Sequence, residues 1–394
     1  MSAWVLPDHI ADVLPSEARS IEDTRRKLLD TAGSYGYELV IPPLVEHIES
    51  LLTGSGKTLA LQTFKLVDLL SGRTLGVRAD MTQQVARIDA HMLNRPGVTR
   101  LCYCGPVLHT FPDQPHATRE PLQFGAELYG CSGVQADFEV LSLAIDALRA
   151  LDAQQPAAAL LVDLSDARIV PALLAQAQGI AHDVGAIQSA LITKNANALS
   201  EAAAALPDSV REALQALPAL YGDRSVLARA RSLLPALPAV TEALDQLDWI
   251  ADQIVRTHPG VEVLFDLADS RGYSYYSGVR FALYGRGSNN ALVRGGRYDE
   301  VGAVYGRNRP AVGFSLDVKA LAATLPPHEA PAAVLARWSD DPAWREVVMA
   351  LRQEGQTVVV ALPGQPAEAE EGFRCDRELL CQSGSWQLVP VDRA

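Results

Sequence analysis

Hydrophobic residues return every three to four positions in several stretches of the chain, which is the spacing of one helix face. In residues 16–35 this face carries Ile21, Leu28 and Ala32, and Gly36 ends the pattern. We therefore expect an amphipathic helix there. Further helices are predicted in residues 82–93, 135–151 and 341–354.

Other segments are short, apolar or alternating, and bounded by turn residues, which is typical of strands. Residues 62–80 predict a hairpin that turns at Ser71-Gly72. Residues 37–41 predict a strand that ends at Pro42-Pro43, because proline cannot continue a ladder of hydrogen bonds. More strands are predicted near 101–109 and 122–130, in 261–269, 277–285, 291–299, 332–338 and 357–364, and as a hairpin in 378–391.

Two changes in composition divide the chain. From about 165 to 258 it is rich in Ala, Leu and Gln, and Leu244, Leu247, Ile250 and Ile254 form a helical stripe, so we expect an inserted helical subdomain. Residues 325–331 contain three prolines and are predicted to be a linker. The expected organisation is a domain over 1–324 with its insertion at about 165–258, followed by a small α/β domain over 331–394.

Composition narrows the classes of function. The chain has 394 residues, 48% of them hydrophobic, and a net charge of −13, which opposes binding to a polyanion. Residues 1–14 lack the features of a signal peptide, and no apolar run has the length of a membrane span. The five cysteines show no metal-knuckle spacing and are expected to be reduced thiols. We expect a cytoplasmic protein with no metal, no cofactor and no membrane contact.

One motif resembles a phosphate-binding loop. The segment "GSGKT" at 54–58 matches the end of such a loop, but the glycine that should stand five positions before Gly56 is Leu51. The preceding residues look helical, whereas a phosphate-binding loop follows a strand. We interpret the segment as a flexible polar loop.

Three other segments carry polar side chains suited to binding. Alternation places Arg78, Asp80 and Thr82 on one face of a strand end, where an acid and a hydroxyl can hold an ammonium group. Taken alone, such a group of residues is more often a cluster of charges on the surface than a binding site. Gln123 and Glu127 also share a strand face, and the opposite face is wholly apolar, which indicates a pocket lining.

The third segment is aromatic. "DSRGYSYYSG" at 269–278 precedes "RGGRYDE" at 294–300 and "RPAVGFSLD" at 309–317. An aromatic turn packed under a loop would explain one such segment. It does not explain three segments that follow the two earlier ones in order.

In this order and spacing the segments resemble the histidyl-tRNA synthetases. The resemblance covers roughly residues 7–322, and "RGYSYYSG" is distinctive of the histidyl branch. It implies an α+β fold of the class II aminoacyl-tRNA synthetase type, with an antiparallel sheet flanked by helices and a helical insertion. Residues 36–46 are similar to the motif that builds the dimer in that class, so the resemblance also implies a homodimeric core.

The resemblance further implies a pocket for histidine. Asp80 stands where the family has a glutamate, and Ser274 replaces the usual aspartate, which loosens that loop. The other positions match the family's residues for the ammonium group, the imidazole, the tyrosine wall and the histidine-specific arginine. The implied pocket consists of Asp80, Thr82, Gln123, Glu127, Arg271, Tyr275, Tyr276 and Tyr298.

The chain departs from the family at the positions that hold ATP. Leu108 replaces the arginine on the α-phosphate, Thr110 the nearby glutamate, and Ala320 the arginine on the outer phosphates. Losing one such donor typically costs on the order of 10²–10³ in rate. Lys319, beside Ala320, could supply a point charge but not a planar fork. The C-terminal unit is also shorter and more acidic than an anticodon-binding domain, so no binding to tRNA is expected.

A histidine pocket without ATP chemistry is similar to the regulatory-subunit family of the short-form ATP phosphoribosyltransferases. This similarity implies a non-catalytic protein that forms a hetero-oligomer with the catalytic subunit, activates it, and mediates feedback inhibition by L-histidine. The first alternative is a divergent histidine-activating ligase, which would need replacements for Leu108 and Ala320. The second is a stand-alone histidine sensor.

Overall fold

The computed structural model describes residues 4–53, 57–112, 114–115, 117–151, 160–272, 275–285, 289–326, 332–364 and 373–391. Ser274, residues 327–331 of the expected linker and the glycine-rich start of "GSGKT" lie outside these ranges. The chain forms two compact units: Met1–Ala11 with Asp23–Leu325, and Asp12–Glu22 with Pro326–Ala394.

The strands of the described residues belong to three sheets. In chain order they are β1 (Glu38–Leu39), β2 (Val45–His47), β3 (Lys65–Val67), β4 (Thr74–Val77), β5 (Thr99–Pro106), β6 (Leu122–Tyr129), β7 (Leu161–Asp166), β8 (Tyr221–Gly222), β9 (Glu262–Asp266), β10 (Val279–Tyr284), β11 (Val293–Arg297), β12 (Ala311–Asp317), β13 (Ala332–Arg337), β14 (Val358–Ala361), β15 (Arg374–Gln382) and β16 (Ser385–Pro390). The predicted hairpin at 62–80 is present as β3 and β4, which pair in antiparallel fashion.

Helices make up much of the rest of the described chain. They are α1 (Pro15–Ser34), α2 (Ile48–Leu51), α3 (Lys57–Gln62), α4 (Thr82–Arg87), α5 (Val134–Leu151), α6 (Ile169–Leu174), α7 (Val184–Ile192), α8 (Ala196–Ala202), α9 (Asp208–Ala216), α10 (Ser225–Leu233), α11 (Pro238–Thr257), α12 (Val318–Ala322) and α13 (Pro342–Gln353). The predicted helix at 82–93 is α4 continued by a π-helical segment, Ile88–Leu93. Among the described helices, none has both the length and the apolar character that crossing a bilayer requires.

The largest sheet has nine strands in the order β1-β5-β6-β12-β11-β10-β7-β9-β8. Its central strands, from β5 to β7, are antiparallel, as the sequence predicts for this fold class. Two outer pairs, β1 with β5 and β7 with β9, are parallel, so the sheet is mixed. The β7–β9 pair is parallel because the intervening helices return the chain to the same end of the sheet.

The segment between β7 and β9 is mainly helical. Residues 165–258 begin in the last two residues of β7, contain helices α6 to α11, and contribute the short edge strand β8. In α11 the predicted stripe is buried: Leu244, Leu247, Ile250 and Ile254. The helix therefore places its apolar face inward, as helical spacing requires.

The second unit contains a four-stranded sheet in the order β14-β13-β15-β16. Helix α13 has Asp341 as its N-cap, whose side chain accepts a hydrogen bond from the backbone of Ala343. Trp344 and Val348 of α13 join a buried cluster that includes Val334 and Leu379 of the sheet. The predicted strand, helix, strand and hairpin of this region are all confirmed.

Candidate functional site

Two glycines make room on one face of the large sheet. Gly125 of β6 lies opposite Tyr103 of β5, and a Cβ atom at Gly125 would lie 2.3 Å from the Tyr103 hydroxyl oxygen. Gly313 of β12 lies opposite Glu127 of β6, and a Cβ atom there would lie 1.5 Å from Glu127 Oε2. Because glycine has no side chain, the side chains of Tyr103 and Glu127 can occupy this face of the sheet.

Glu127 is the centre of this face and is only 1% exposed. The hydroxyl of Tyr103 donates to Glu127 Oε1 at 2.9 Å, and the hydroxyl of Tyr298 donates to Oε2. Burial raises the pKa of Glu127 to about 8, although both hydrogen bonds act in the opposite direction, and the charge of Asp80 raises it further. The carboxyl group is therefore mostly protonated at neutral pH.

Asp80, Thr82 and Gln123 surround the same space. The backbone N–H of Thr82 donates to Asp80 Oδ1 at 2.6 Å, and Gln123 Nε2 donates to Asp80 Oδ2 at 3.3 Å. Gln123 Oε1 accepts from the backbone of Met81 at 2.9 Å, which fixes the orientation of the amide. The Thr82 hydroxyl lies 3.0 Å from that of Tyr103, which links this group to Glu127.

Three tyrosines form a wall beside the carboxyl group. The rings of Tyr275 and Tyr298 are stacked, with centroids 5.1 Å apart. The ring of Tyr276 meets that of Tyr275 edge-on, also at 5.1 Å. Burial raises the pKa of each of these phenols, so all three remain neutral at physiological pH. They provide flat, uncharged surfaces against which a planar ring can pack.

Arg271 lies on the other side of Tyr276. Its Nε donates to Asp269 Oδ1 at 2.8 Å and its Nη2 to Oδ2 at 3.1 Å, and the arginine side chain is about half exposed. It lines a cavity of about 180 Å³ together with Gly272 and Tyr276. The structure therefore brings seven of the eight predicted residues into one cluster and places the eighth at its border.

Sequence reasoning missed Tyr103 and Gly313. Tyr103 contacts both Glu127 and Thr82, yet its strand segment, "LCYCG", reads as an apolar strand. The signal that could have identified it is the pairing of this large residue with Gly125 on the neighbouring strand. That pairing can be recognised only when the register of the two strands is known. Gly313 lies inside the "PAVGFSLD" segment, and its proximity to Glu127 likewise depends on the register.

At Leu108 and Ala320, where the resemblance implies phosphate-binding arginines, the structure places no guanidinium group. Leu108 is partly buried, and its backbone N–H donates to the carbonyl of Arg78 at 3.0 Å. Ala320 is exposed on α12. The neighbouring Lys319 places its ammonium 3.5 Å from Glu120 Oε2. The described residues contain no cluster of three or more His, Cys, Asp or Glu arranged for a metal ion.

Comparison with known proteins assigns both parts of the chain. The family model "Histidyl-tRNA synthetase" matches residues 9–321, and "ATP phosphoribosyltransferase subunit HisZ C-terminal domain" matches residues 331–389. An ATP phosphoribosyltransferase regulatory subunit from Albidiferax ferrireducens is 59% identical over 99% of this chain and 100% of the relative. The chain belongs to the ATP phosphoribosyltransferase regulatory subunit family. The family resemblance predicted from the sequence is thus confirmed.

Members of this family and their synthetase relatives share the fold. The regulatory subunit from Burkholderia pseudomallei is 53% identical over 99% of this chain and all of its own length. A solved structure from Bacillus halodurans, described as an ATP phosphoribosyltransferase regulatory subunit/histidyl-tRNA synthetase, superposes with a TM-score of 0.82 at 26% identity, covering 95% of this chain and 98% of that one. A histidyl-tRNA synthetase from Nostoc has a TM-score of 0.78 at 18% identity over 99% and 97%, and supports the fold alone.

Proposed function

We propose that this regulatory-subunit family member binds the catalytic subunit of a short-form ATP phosphoribosyltransferase in a hetero-oligomer, raises its activity, and transmits inhibition by L-histidine. The protein itself performs no chemistry. The observation that carries the proposal is the combination of an intact amino-acid pocket around Glu127 with apolar residues at Leu108 and Ala320.

Histidine fits the cluster by its chemistry. Asp80 and Gln123 are placed to receive an ammonium group, and the tyrosine wall is placed to pack against an imidazole ring. Glu127 faces the same space and can pair with a ring nitrogen once it ionises. Arg271, on the border of the cluster, is available for the carboxylate if it exchanges part of its contact with Asp269.

The proposal excludes adenylate formation. Activation of an amino acid displaces pyrophosphate and depends on fixed cations around the phosphates. Lys319 is a single ammonium that already pairs with Glu120, so it does not replace two planar arginine forks. The net charge of −13 and the short C-terminal unit also argue against tRNA as a partner.

The proposed assembly contains a homodimer of this chain. Strand β1 is an edge strand of the large sheet and precedes a run of exposed apolar side chains. Leu39, Ile41 and Leu44 are 51%, 83% and 45% exposed. Exposed aliphatic residues beside a sheet edge are characteristic of a surface that another chain covers.

The decisive experiment measures initial rates of phosphoribosyl-ATP synthesis by the purified catalytic subunit, alone and with this chain, across a histidine titration. We expect the chain to raise the rate and to make histidine inhibition complete. The Glu127→Ala variant should still raise the rate but should not inhibit, because only its amino-acid pocket is damaged. If the wild-type chain changes neither the rate nor the inhibition curve, the regulatory proposal is wrong and a stand-alone sensor becomes the better account.

A further inference from the structure

The face that carries Glu127 continues across four more strands. The register pairs Glu127 with Gly313, Gly313 with Gly296, Gly296 with Arg280, and Arg280 with Ser165. Paired residues in a sheet project to the same side, so these positions form one row. With strands spaced by about 4.8 Å, Arg280 stands roughly 14 Å from Glu127 along this row.

Tyr276 separates the two ends of the row. A Cβ atom at Gly296 would lie 3.0 Å from Tyr276 Cδ1, so the tyrosine ring rests directly on this glycine. The Arg280 guanidinium also stacks over the ring, 5.0 Å from its centroid. Beyond Tyr276 lies the cavity of about 180 Å³, whose lining includes Asp163, Ser165, Arg271, Arg280 and Ala282. It is therefore a second compartment on the same sheet face.

Arg280 has an unused hydrogen-bond donor in this compartment. The residue is 7% exposed, its Nη1 donates to the backbone oxygen of Asp269 at 2.7 Å, and its Nη2 donates to Asp269 Oδ2 at 3.3 Å. Its Nε has no hydrogen-bond partner in the described part of the chain. A buried N–H without an acceptor costs about 1–3 kcal/mol, and a ligand oxygen would recover that cost.

Asp163 supplies the complementary charge. Its carboxylate makes no hydrogen bond or ion pair with the described residues. Two other carboxylates, of Asp266 and Asp269, lie near enough to interact with it electrostatically, and so do the positive charges of Arg271 and Lys194. Ser165, two residues along the same strand, adds a hydroxyl on the same face. The compartment thus offers arginine donors at one part of its wall and a free acceptor at another.

We propose that this cavity is a second binding site, for a small zwitterionic α-amino acid. The ligand carboxylate accepts from Arg280, and the ligand ammonium donates to Asp163 and Ser165. A purely anionic ligand such as phosphate would face the carboxylate of Asp163, and a purely cationic ligand would face the three arginines that line the cavity. The volume of about 180 Å³ suits a molecule the size of a free amino acid.

The test uses the full-length chain with Glu127→Ala, which removes the first pocket. Calorimetric titrations with glycine and L-serine should reveal at least one ligand with an affinity on the order of millimolar or tighter. Asp163→Asn should weaken that binding by roughly tenfold or more, because it removes a charged partner. Glu262→Gln, an equal change of charge at an exposed position of the neighbouring strand β9, should leave it unchanged.

A second variant fills the space without changing charge. Ala282 is nearly buried at the cavity wall, and Ala282→Val adds two methyl groups in a strand that tolerates valine. It should abolish the same binding. Should it fail to fold, the Asp163→Asn result alone decides.

Two results would overturn the proposal: no binding of either amino acid, or binding that neither Asp163→Asn nor Ala282→Val weakens. Because no catalytic subunit is present, failure here is distinct from failure of the regulatory function.

The pH dependence gives an independent readout. Burial, together with the charges of Asp266 and Asp269, raises the pKa of Asp163 to about 6, while Arg271 and Lys194 lower it. Binding of an ammonium group needs the ionised carboxylate. The affinity of glycine or L-serine should therefore fall as the pH drops below about 6, and in Asp163→Asn this fall should disappear.

Discussion

At the scale of single residues, Glu127 combines full burial with two hydroxyl donors, and its carboxyl group has no positively charged partner among the residues that the structure describes. Tyr103 and Tyr298 satisfy its oxygens, but hydroxyl groups do not neutralise a charge. Ionisation of the carboxyl group is therefore unfavourable when no ligand is bound. A ligand that brings a positive charge changes this balance, which makes Glu127 a natural point of discrimination for a basic amino acid.

Histidine binding should depend on this carboxyl group. Breaking a desolvated charge-assisted contact costs roughly 2–5 kcal/mol, which corresponds to a loss of about 30-fold to several thousandfold in affinity. Glu127→Ala should therefore reduce the calorimetric signal for L-histidine to background. Glu262→Gln serves as the control. An unchanged histidine affinity in Glu127→Ala would show that the effector binds elsewhere.

The same carboxyl group should make stability fall as the pH rises. The pKa of Glu127 is about 8 in the folded chain, whereas a glutamate in the unfolded chain has its ordinary pKa of 4.5. Between these values the folded state holds a proton that the unfolded state has released. Its contribution to the free energy of unfolding should decline by roughly 1.4 kcal/mol per pH unit in this window. Urea unfolding of wild type and Glu127→Gln at several pH values measures the difference. Parallel curves would contradict the assignment.

The sequence predicted most of these residues because strand alternation has a fixed period. Gln123 and Glu127 follow from alternation against an apolar face, and Asp80 with Thr82 from the end of a strand. Tyr103 could not be found this way, since its importance comes from pairing with a distant strand. The border position of Arg271 depends on a loop conformation that no periodicity encodes.

At the scale of elements, a buried ion pair joins helix α5 to strand β11. Both terminal nitrogens and Nε of Arg297 are engaged, and its Nη2 and Nε contact the carboxylate of Asp137. Both side chains are almost fully buried, and Arg297 also reaches the carbonyl oxygens of Cys131 and Gly133. The pair holds β11, with its glycines and Tyr298, against the helix behind the sheet.

Removing one member of this pair should destabilise the fold. Asp137→Ala removes the buried carboxylate partner of Arg297 and leaves Asp299, 3.2 Å from Nη1, as the remaining one that the structure describes. Loss of a buried partner typically costs about 3–5 kcal/mol. Glu242→Ala removes the exposed partner of Arg168 at 3.2 Å and should cost at most about 1 kcal/mol. Chemical denaturation of the two variants tests the contrast. Equal losses of stability would show that burial does not set the strength of these pairs.

Helices and strands were predictable where the local pattern was strong. Helix α1, the hairpin of β3 and β4, and the strand–helix–strand order of the C-terminal unit follow from spacing and turn residues. The parallel pairing of β7 with β9 was not predicted, because it is fixed by the return of a long helical segment. The π-helical end of α4 was missed for a similar reason: its hydrogen bonds have no distinct sequence pattern.

At the scale of the whole molecule, the chain keeps the synthetase fold, and Leu108 and Ala320 stand where the resemblance implies phosphate-binding arginines. This contrast predicts that histidine-dependent exchange of pyrophosphate into ATP stays at background. Restoring one cation, with Leu108→Arg, should not rescue exchange, because Ala320 still lacks its counterpart. Exchange above background in the wild-type chain would favour the ligase alternative.

The exposed apolar run beside β1 predicts a dimer in solution. Sedimentation of the isolated chain at micromolar concentration should give twice the mass of 42.3 kDa. Ile41→Asp places a charge on a surface that is expected to be covered, and should shift the equilibrium toward monomer. The same change at exposed Val255 of α11 provides the control. A monomeric mass for the wild-type chain would refute the dimeric core.

Gly313, the glycine opposite Glu127, offers a route to bacterial strains that overproduce histidine. Gly313→Ala adds a single methyl group, and that methyl would occupy the position of Glu127 Oε2. The acid must then leave its place, while the rest of the chain keeps its sequence and surface. If the proposed function is correct, this one-codon change relieves feedback inhibition and spares activation. A selection on toxic histidine analogues should return substitutions at position 313 among its resistant colonies.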